Sequence, residues 1–379
     1  MRWKRRVPIP DPKSALILAG HSVRSLAQSA RASGIRVVAL DHYADLDTRA
    51  AAWQTLQVRE SLGETLEQVL LGPRGEPFAS AMLVVGAGFE GKGDTLVALA
   101  RRFQLIGNAP AVWDAVDAPE VFASLLDRLS IPHPEVRVMP PARLEEWLFK
   151  GRGSCGGMGV YPADDARGMG SYSRRVRGQP ASVLFVADGR RARILGYHYL
   201  LTHRLPGRPF VYAGALVMDT VPASVSARID HWVAGLTATL GLCGLNGLDF
   251  IVNAGQPCCL ELNPRPTATV ELHEHRLDSG GLIALHLQGC AGELPARLPT
   301  ATLVRGLRVI YSNRELRIPR MDWPDWSADR PAAGTLVGLG EPICSVHGEG
   351  RTVLELRQSL ARRSRCLRSR FLLREPAAA

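Results

Sequence analysis

Several signatures that would settle the class of this chain are missing. The seven cysteines form no CxxC pair and follow no regular spacing, so neither a disulfide framework nor a zinc knuckle is expected, and a reducing, cytoplasmic setting fits. The amino-terminal MRWKRRVPIPDPKSALILAG starts basic, but its apolar run is only about seven residues and Pro8, Pro10 and Pro12 interrupt the approach. That pattern is neither a signal peptide nor a membrane span. The formal charge is +10, yet the basic residues are spread out except at the two ends, and no basic patch interleaved with aromatics occurs. Neither a nucleic acid nor a membrane is therefore expected as a partner. In ELHEH, His273 and His275 lack the HExxH spacing of a zinc site. No internal repeat is evident.

What is present is a 46% hydrophobic chain of 379 residues, long enough for two or three domains with cores of their own. SALILAG (14–20), a helix-like stretch closed by Gly34, and IRVVALD (35–41) read as strand, helix, strand, with Asp41 at the second strand's carboxyl end. SAMLVVGAG (80–88) and QLIGN (104–108) add two strands, so the first hundred or so residues predict an α/β, Rossmann-like parallel sheet. Gly20, Gly86 and Gly88 close strands and suit tight strand-to-helix turns. One helix is expected ahead of Pro132, with Leu125, Leu126 and Leu129 near its end. Strands over 181–189 and 191–201 meet at the hairpin signal Asp188-Gly189, a helix covers 223–241, and two more strands meet at the turn Asn253 to Pro257. The boundaries drawn are 1–108, 109–180, 181–295 and 296–379, the last a small β-rich domain. It closes on the basic, leucine-spaced LRQSLARRSRCLRSRFLLR, read either as a helix with a solvated arginine face or as a site for an acidic partner or a membrane surface.

Two stretches carry chemistry. In WLFKGRGSCGGMGV, Lys150 ends a hydrophobic strand and runs into glycines at 151, 153, 156, 157 and 159, with Ser154 among them. Glycines let backbone N–H groups approach phosphate oxygens closely, and the lysine adds a positive charge beside them. No Gly-Lys-Ser/Thr of a Walker loop follows. In CCLELNPRP, Glu261, Asn263 and Arg265 fall on alternate residues and so on one side of an extended chain. The neighbouring strand GLDFIV brings Asp249 alongside. Asp249, Glu261 and the Asn263 side-chain oxygen make a half-cage of the kind magnesium takes, completed by substrate phosphates. His203, Arg204 and Tyr212 are weaker candidates for a substrate pocket.

The order lysine and glycine-rich loop, hairpin, Asp, then ELNPR resembles the ATP-grasp superfamily of carboxylate-amine ligases over about residues 1 to 290. GAGFE (86–90), LIGN (105–108) and GEPICSV (340–346) look more narrowly like a biotin-carboxylase-related group that accompanies one-carbon metabolism. The resemblance implies an ATP-grasp fold with a Rossmann-like first domain, ATP and Mg2+ as cofactors, carboxylate and amine substrates, and a homodimer as the assembly. It implies that Lys150 and the loop of Gly153, Ser154, Gly156, Gly157 and Gly159 close over the ATP phosphates. Asp249, Glu261 and Asn263 then hold magnesium, Arg265 stabilises charge at the reacting centre, and the backbone of Arg174, Arg175 and Val176 meets adenine. Two departures stand out: no lysine occurs in DAVDAPEVF, and Ser173-Arg174 replace the Gln-Glu usual at the hinge. These keep open a catalytically silent ATP-binding protein. A bicarbonate-using carboxylase is a further alternative, one that would need a separate carrier because no Met-Lys-Met biotin site occurs.

Overall fold

The computed structural model describes residues 15–58, 64–276, 281–298 and 303–372; the basic amino-terminal segment and Arg374 lie outside them. The chain opens with β1 (Leu16–Gly20), α1 (Arg24–Ala32), β2 (Val37–Asp41), α2 (Leu46–Ala51) and β3 (Gln54–Gln57). It continues with α3 (Leu66–Leu71), β4 (Met82–Val85), α4 (Gly93–Arg102) and β5 (Gln104–Leu105). The five strands form one parallel sheet in the order β3-β2-β1-β4-β5. β1 is buried throughout, the consequence of helices on both faces, which is why it reads as an unbroken apolar run. The edge strand β3 is QTLQ, whose one apolar residue, Leu56, is too little to mark a strand in the sequence.

The single helix expected before Pro132 is two, α5 (Pro110–Asp117) and α6 (Pro119–Arg128). Proline disfavours the helical region for the residue before it, and Ala118 sits at φ −92°, ψ 102°. A four-stranded antiparallel sheet follows, made of β6 (Val136–Arg137), β7 (Trp147–Gly151), β8 (Val160–Pro162) and β9 (Gly170–Arg174) in the order β6-β9-β7-β8.

The central sheet has eight strands. β10 (Gln179–Asp188) and β11 (Ala192–Leu205) turn at Gly189, whose φ is +90°, while the Asp188 carboxylate accepts the Arg190 and Arg191 amides. β12 (Arg208–Val217), α7 (Ala223–Leu240), β13 (Cys243–Asn253), β14 (Gln256–Asn263) and α8 (Gly281–Cys290) complete the middle of the chain. α7 ends on Gly241 in the left-handed region, and its Ile229 and Trp232 pack with Phe185 and Phe250 on one face of the sheet. α8 packs with α1 on the other face. After residue 303, β15 (Val304–Tyr311), β16 (Leu316–Arg317), β17 (Ser327–Ala328), β18 (Leu336–Val337), β19 (Pro342–Gly350) and α9 (Val353–Arg370) follow. β15, β19 and β17 continue the central sheet, in the order β14-β13-β10-β11-β12-β15-β19-β17. α9 buries Leu356, Leu360 and Leu367 and exposes Arg357, Arg362, Arg365 and Arg370; Arg363 instead donates to the His347 carbonyl. Among the described residues no helix is long and apolar enough to cross a membrane.

Candidate active site

The β13–β14 hairpin sets the register that matters, with Asp249 directly opposite Glu261. Asn263 Nδ2 lies 3.4 Å from both Asp249 Oδ2 and Glu261 Oε1, and its Oδ1 accepts from Arg265 Nη2 at 2.9 Å. The structure thus brings together the four residues singled out by spacing, and it adds a fifth. Glu90, from the loop after β4, accepts from Arg265 Nε at 2.7 Å and from the Gly88 amide at 2.7 Å. Arg265 is 8% exposed, so its guanidinium is a strut between Glu90 and Asn263. Burial opposes it, but Arg265 holds Glu90 below the usual carboxylate range. Asp249 goes the other way: burial, then the Glu261 carboxylate beside it, push it well above that range. A divalent cation between the two would relieve that repulsion. Two carboxylates, with room left for phosphate, suit magnesium better than a metal that wants nitrogen or sulfur; the Asn263 oxygen, turned to Arg265, would join them only with its amide turned over.

Lys150 stands on β7 and makes no ion pair among the described residues. Its ammonium is within electrostatic reach of Cys258 and Cys259 on β14, the strand that carries Glu261. The glycine-rich loop turns through positive φ at Gly153, Gly156 and Gly157. It is docked on β12: the Tyr212 amide donates to the Gly156 carbonyl at 2.8 Å, and a Cβ on Gly157 would lie 2.0 Å from the Phe210 carbonyl oxygen. Ser154 donates its hydroxyl to the Gly151 carbonyl at 2.8 Å. At the hinge, the Arg174 and Arg175 amides donate to the Glu135 and Glu146 carbonyls, and the exposed Arg174 guanidinium pairs with the Glu146 carboxylate. Of the three hinge amides, only that of Val176 has no hydrogen-bond partner among the described residues.

Asp249, Glu261, Asn263, Arg265, Glu90, Lys150, Gly153, Ser154, Gly156, Gly157, Arg174, Arg175 and Val176 line one cavity of about 2060 Å³, and Gly159 is not among its lining residues. Ala118 and Pro119, where a lysine is absent, form part of its wall. So do Asp45, Glu271 and Asp329, an acidic end that sequence reasoning did not find. Tyr212 lines the cavity; among its lining residues neither His203 nor Arg204 appears, and His203 stacks on Tyr311 at 5.1 Å between centroids. His273 is buried with its Nε2 2.7 Å from that of His198, a ring pushed down to about 3 by burial. The Gly86-x-Gly88 pair also has a longer signal behind it, because Gly91 completes a GxGxxG spacing between β4 and α4. Here the Gly88 and Gly91 amides are committed to Glu90 and Asp117, so the loop braces Arg265 and shows no free phosphate cradle.

Residues 120–269 match the family model described as the ATP-grasp domain, a span that holds the four-stranded sheet, the glycine-rich loop and the β13–β14 hairpin. This stretch is an ATP-grasp domain. Solved structures extend the likeness over nearly the whole chain. The biotin carboxylase domain of Hydrogenobacter thermophilus 2-oxoglutarate carboxylase, solved with MgADP and bicarbonate, is 11% identical at a TM-score of 0.70, over 92% of this chain and 89% of that one. N5-carboxyaminoimidazole synthetase from Staphylococcus aureus, complexed with ADP, is 12% identical at 0.67, over 93% and 97%. The biotin carboxylase domain of a single-chain bacterial carboxylase is 16% identical at 0.68, over 94% and 89%. At such identities the likeness is one of fold. The ATP-grasp domain therefore sits in the three-part fold expected, between a Rossmann-like sheet and the carboxyl-terminal strands. No curated protein matches the sequence.

Proposed function

We propose that this chain is a magnesium-requiring, ADP-forming ligase that joins a carboxylate to an amine through an acyl phosphate. The observation that carries the reading is the Asp249–Glu261 pair held across one hairpin, with Asn263 and Arg265 chained to it and Lys150 beside the same strand. Lys150 and the amides of the loop from Gly153 to Gly159 bind the ATP phosphates, and the hinge at Val176 receives the adenine. Asp249, Glu261 and Asn263 would hold Mg2+, which when bound draws charge from the transferring phosphoryl group. Arg265 keeps Asn263 oriented and places positive charge near the acyl oxygen, so positioning and electrostatics do most of the catalysis. The missing lysine at Ala118 shifts the phosphate contacts onto Lys150 and the loop amides. A place in assembling a one-carbon carrier, by adding glutamate to an amine or to a growing polyglutamate, is part of the proposal and rests on the narrower resemblance alone. So is a homodimer, a state named for the Hydrogenobacter domain.

Purified protein given ATP, Mg2+ and pools of carboxylates and amines is expected to release ADP only when both pools are present. ATP binding with no turnover across broad pools supports the silent alternative and sinks the ligase. A second reading, carboxylation, is favoured by the carboxylase neighbours; ADP release that depends on bicarbonate and needs no amine selects it. For the pathway, a deletion strain is expected to show a smaller carrier pool or a truncated precursor, and an unchanged pool contradicts it.

A further inference from the structure

We propose that the acidic end of the cavity seats the amine substrate as a primary ammonium held between Asp45 and Asp329, with Asp45 taking the proton whose loss frees the nitrogen to attack. The proposal rests on the ligase reading and names the class of its second substrate.

The charges at this end do not balance. Arg24 on α1, 3% exposed, is fully committed: to Glu271 through two bonds of 2.7 and 2.8 Å, and to Asp329 at 2.7 Å; Arg49, the other guanidinium lining this end, donates to the Ala44 carbonyl and to Gln57. Glu271 also meets His347 at 2.8 Å. Asp47 accepts the Asp329 and Arg330 amides, and Asp41 accepts the amides of Val23, Tyr43 and Ala44. Each of these carboxylates has its partners. Asp45 does not: it is 7% exposed, faces the cavity, and its carboxylate receives no hydrogen bond and no ion pair among the described residues. A buried carboxylate without a partner is costly, and a cation arriving with its own N–H donors removes the cost.

A second group points the same way. The Tyr212 hydroxyl is wholly buried and has no hydrogen-bond partner among the described residues, and it lies within electrostatic reach of Glu271, Asp329 and Asp249. Tyr212 lines the cavity, and both the acidic end and the carboxylate pair fall within reach of its hydroxyl. The two turns that present the acids are held by backbone that few side chains adopt, with Ala44 at φ +49° and Asp329 at φ +54°. An anionic ligand would meet Asp45, Asp329 and Glu271 together, so the carboxylate substrate belongs at the other end. Burial, with Asp329, Asp41 and Asp47 alongside and Arg24 opposing, pushes Asp45 up to about 8, a range suited to accepting a proton from an ammonium.

The step balances. The γ-phosphoryl group moves to a carboxylate oxygen and ADP leaves. The ammonium gives one proton to Asp45, the nitrogen lone pair forms the C–N bond, and the C–O bond to phosphate breaks. The second nitrogen proton leaves with the phosphate, and Asp45 returns its own to solvent.

Hydroxylamine separates the two readings, because it is uncharged at neutral pH and traps an acyl phosphate as a hydroxamate. The full chain with MgATP and a carboxylate pool is assayed first with hydroxylamine, then for ADP release with putrescine, phenethylamine and agmatine. Thermal shifts with the same amines and with their alcohol counterparts are read alongside. The expected result is stabilisation and turnover by amines and not by alcohols. Asp45→Asn should remove the stabilisation and lower kcat/KM for the amine by about 100-fold, far more than it lowers hydroxamate yield, and Asp45→Glu should recover part of the loss. Hydroxamate formation with no cationic amine accepted, or an equal loss of both activities in Asp45→Asn, overturns the proposal. No hydroxamate from any carboxylate sinks the ligase reading, and this one with it.

Discussion

At the end of the cavity lined by the glycine-rich loop and the hinge the charge is positive: Lys150 is half-buried, and Arg152, Arg174, Arg175 and Arg177 are exposed. At the far end the charge is negative and set in packed elements: Arg24 holds Glu271 and Asp329, while Asp45 stands buried without a partner among the described residues. The contrast separates two tasks. A polyphosphate must enter and leave, so its counter-charges sit on a loop that turns through glycines and meets β12, Glu90 and Gly91 through backbone contacts. A small cation needs fixed, desolvated carboxylates, and those cost least when built into packed elements before the ligand arrives.

The largest effect should come from the corner where the two ends meet. Glu261→Gln removes half of the carboxylate pair, and turnover should fall on the order of 1000-fold while much of the nucleotide affinity survives, since adenine and ribose are met elsewhere. ADP release and nucleotide titration on the same preparation check this, and wild-type turnover in the variant breaks the metal assignment. Next in size is the pinning of the far end. Arg24→Leu leaves Glu271 and Asp329 buried without their cation and should cost about 3–5 kcal/mol in urea unfolding; a loss under about 1 kcal/mol would mean that the acidic end is not held as described.

A smaller effect follows from pH. Asp45 is raised to about 8, and burial lifts Asp41 and Asp117 to about 6, from an ordinary value of 3.8. A raised carboxyl contributes its full stability below the unfolded value and loses it as pH climbs through the folded one. Thermal stability of the unliganded protein should therefore decline from about pH 4 to about pH 8, and Asp45→Asn should flatten the upper part of that decline. Glu271, held down to about 2 by Arg24 and His347 against its burial, keeps its contribution across this window. Mg2+ added at the alkaline end should restore stability to the wild type and not to Glu261→Gln, because Asp249 then has a cation to share.

The parts of this arrangement that could be read from the sequence are local ones. Glu261, Asn263 and Arg265 share a face because a strand repeats every two residues, and the turn at Asn253–Pro257 fixes Asp249 opposite Glu261. Lys150 and its glycines are likewise one contiguous stretch. Arg24 was invisible because its partners Glu271 and Asp329 lie 247 and 305 residues away, and no short pattern encodes such a meeting. For the same reason the strands after residue 303 gave no sign that they join the central sheet: the pairing of β12 with β15 is a tertiary contact between distant segments. Two signals were present and passed over. Pro119 marks the break between α5 and α6, and Gly91 completes the spacing that places Glu90 against Arg265.

The division of the cavity is tested most directly by titrating MgATP, in a calorimeter, into the wild type, Lys150→Ala and Asp45→Asn. Removing a charged phosphate contact should weaken binding by about 10- to 100-fold in Lys150→Ala, whereas Asp45→Asn should bind MgATP close to as tightly as the wild type. Equal weakening in the two variants, or a loss confined to Asp45→Asn, would contradict the account.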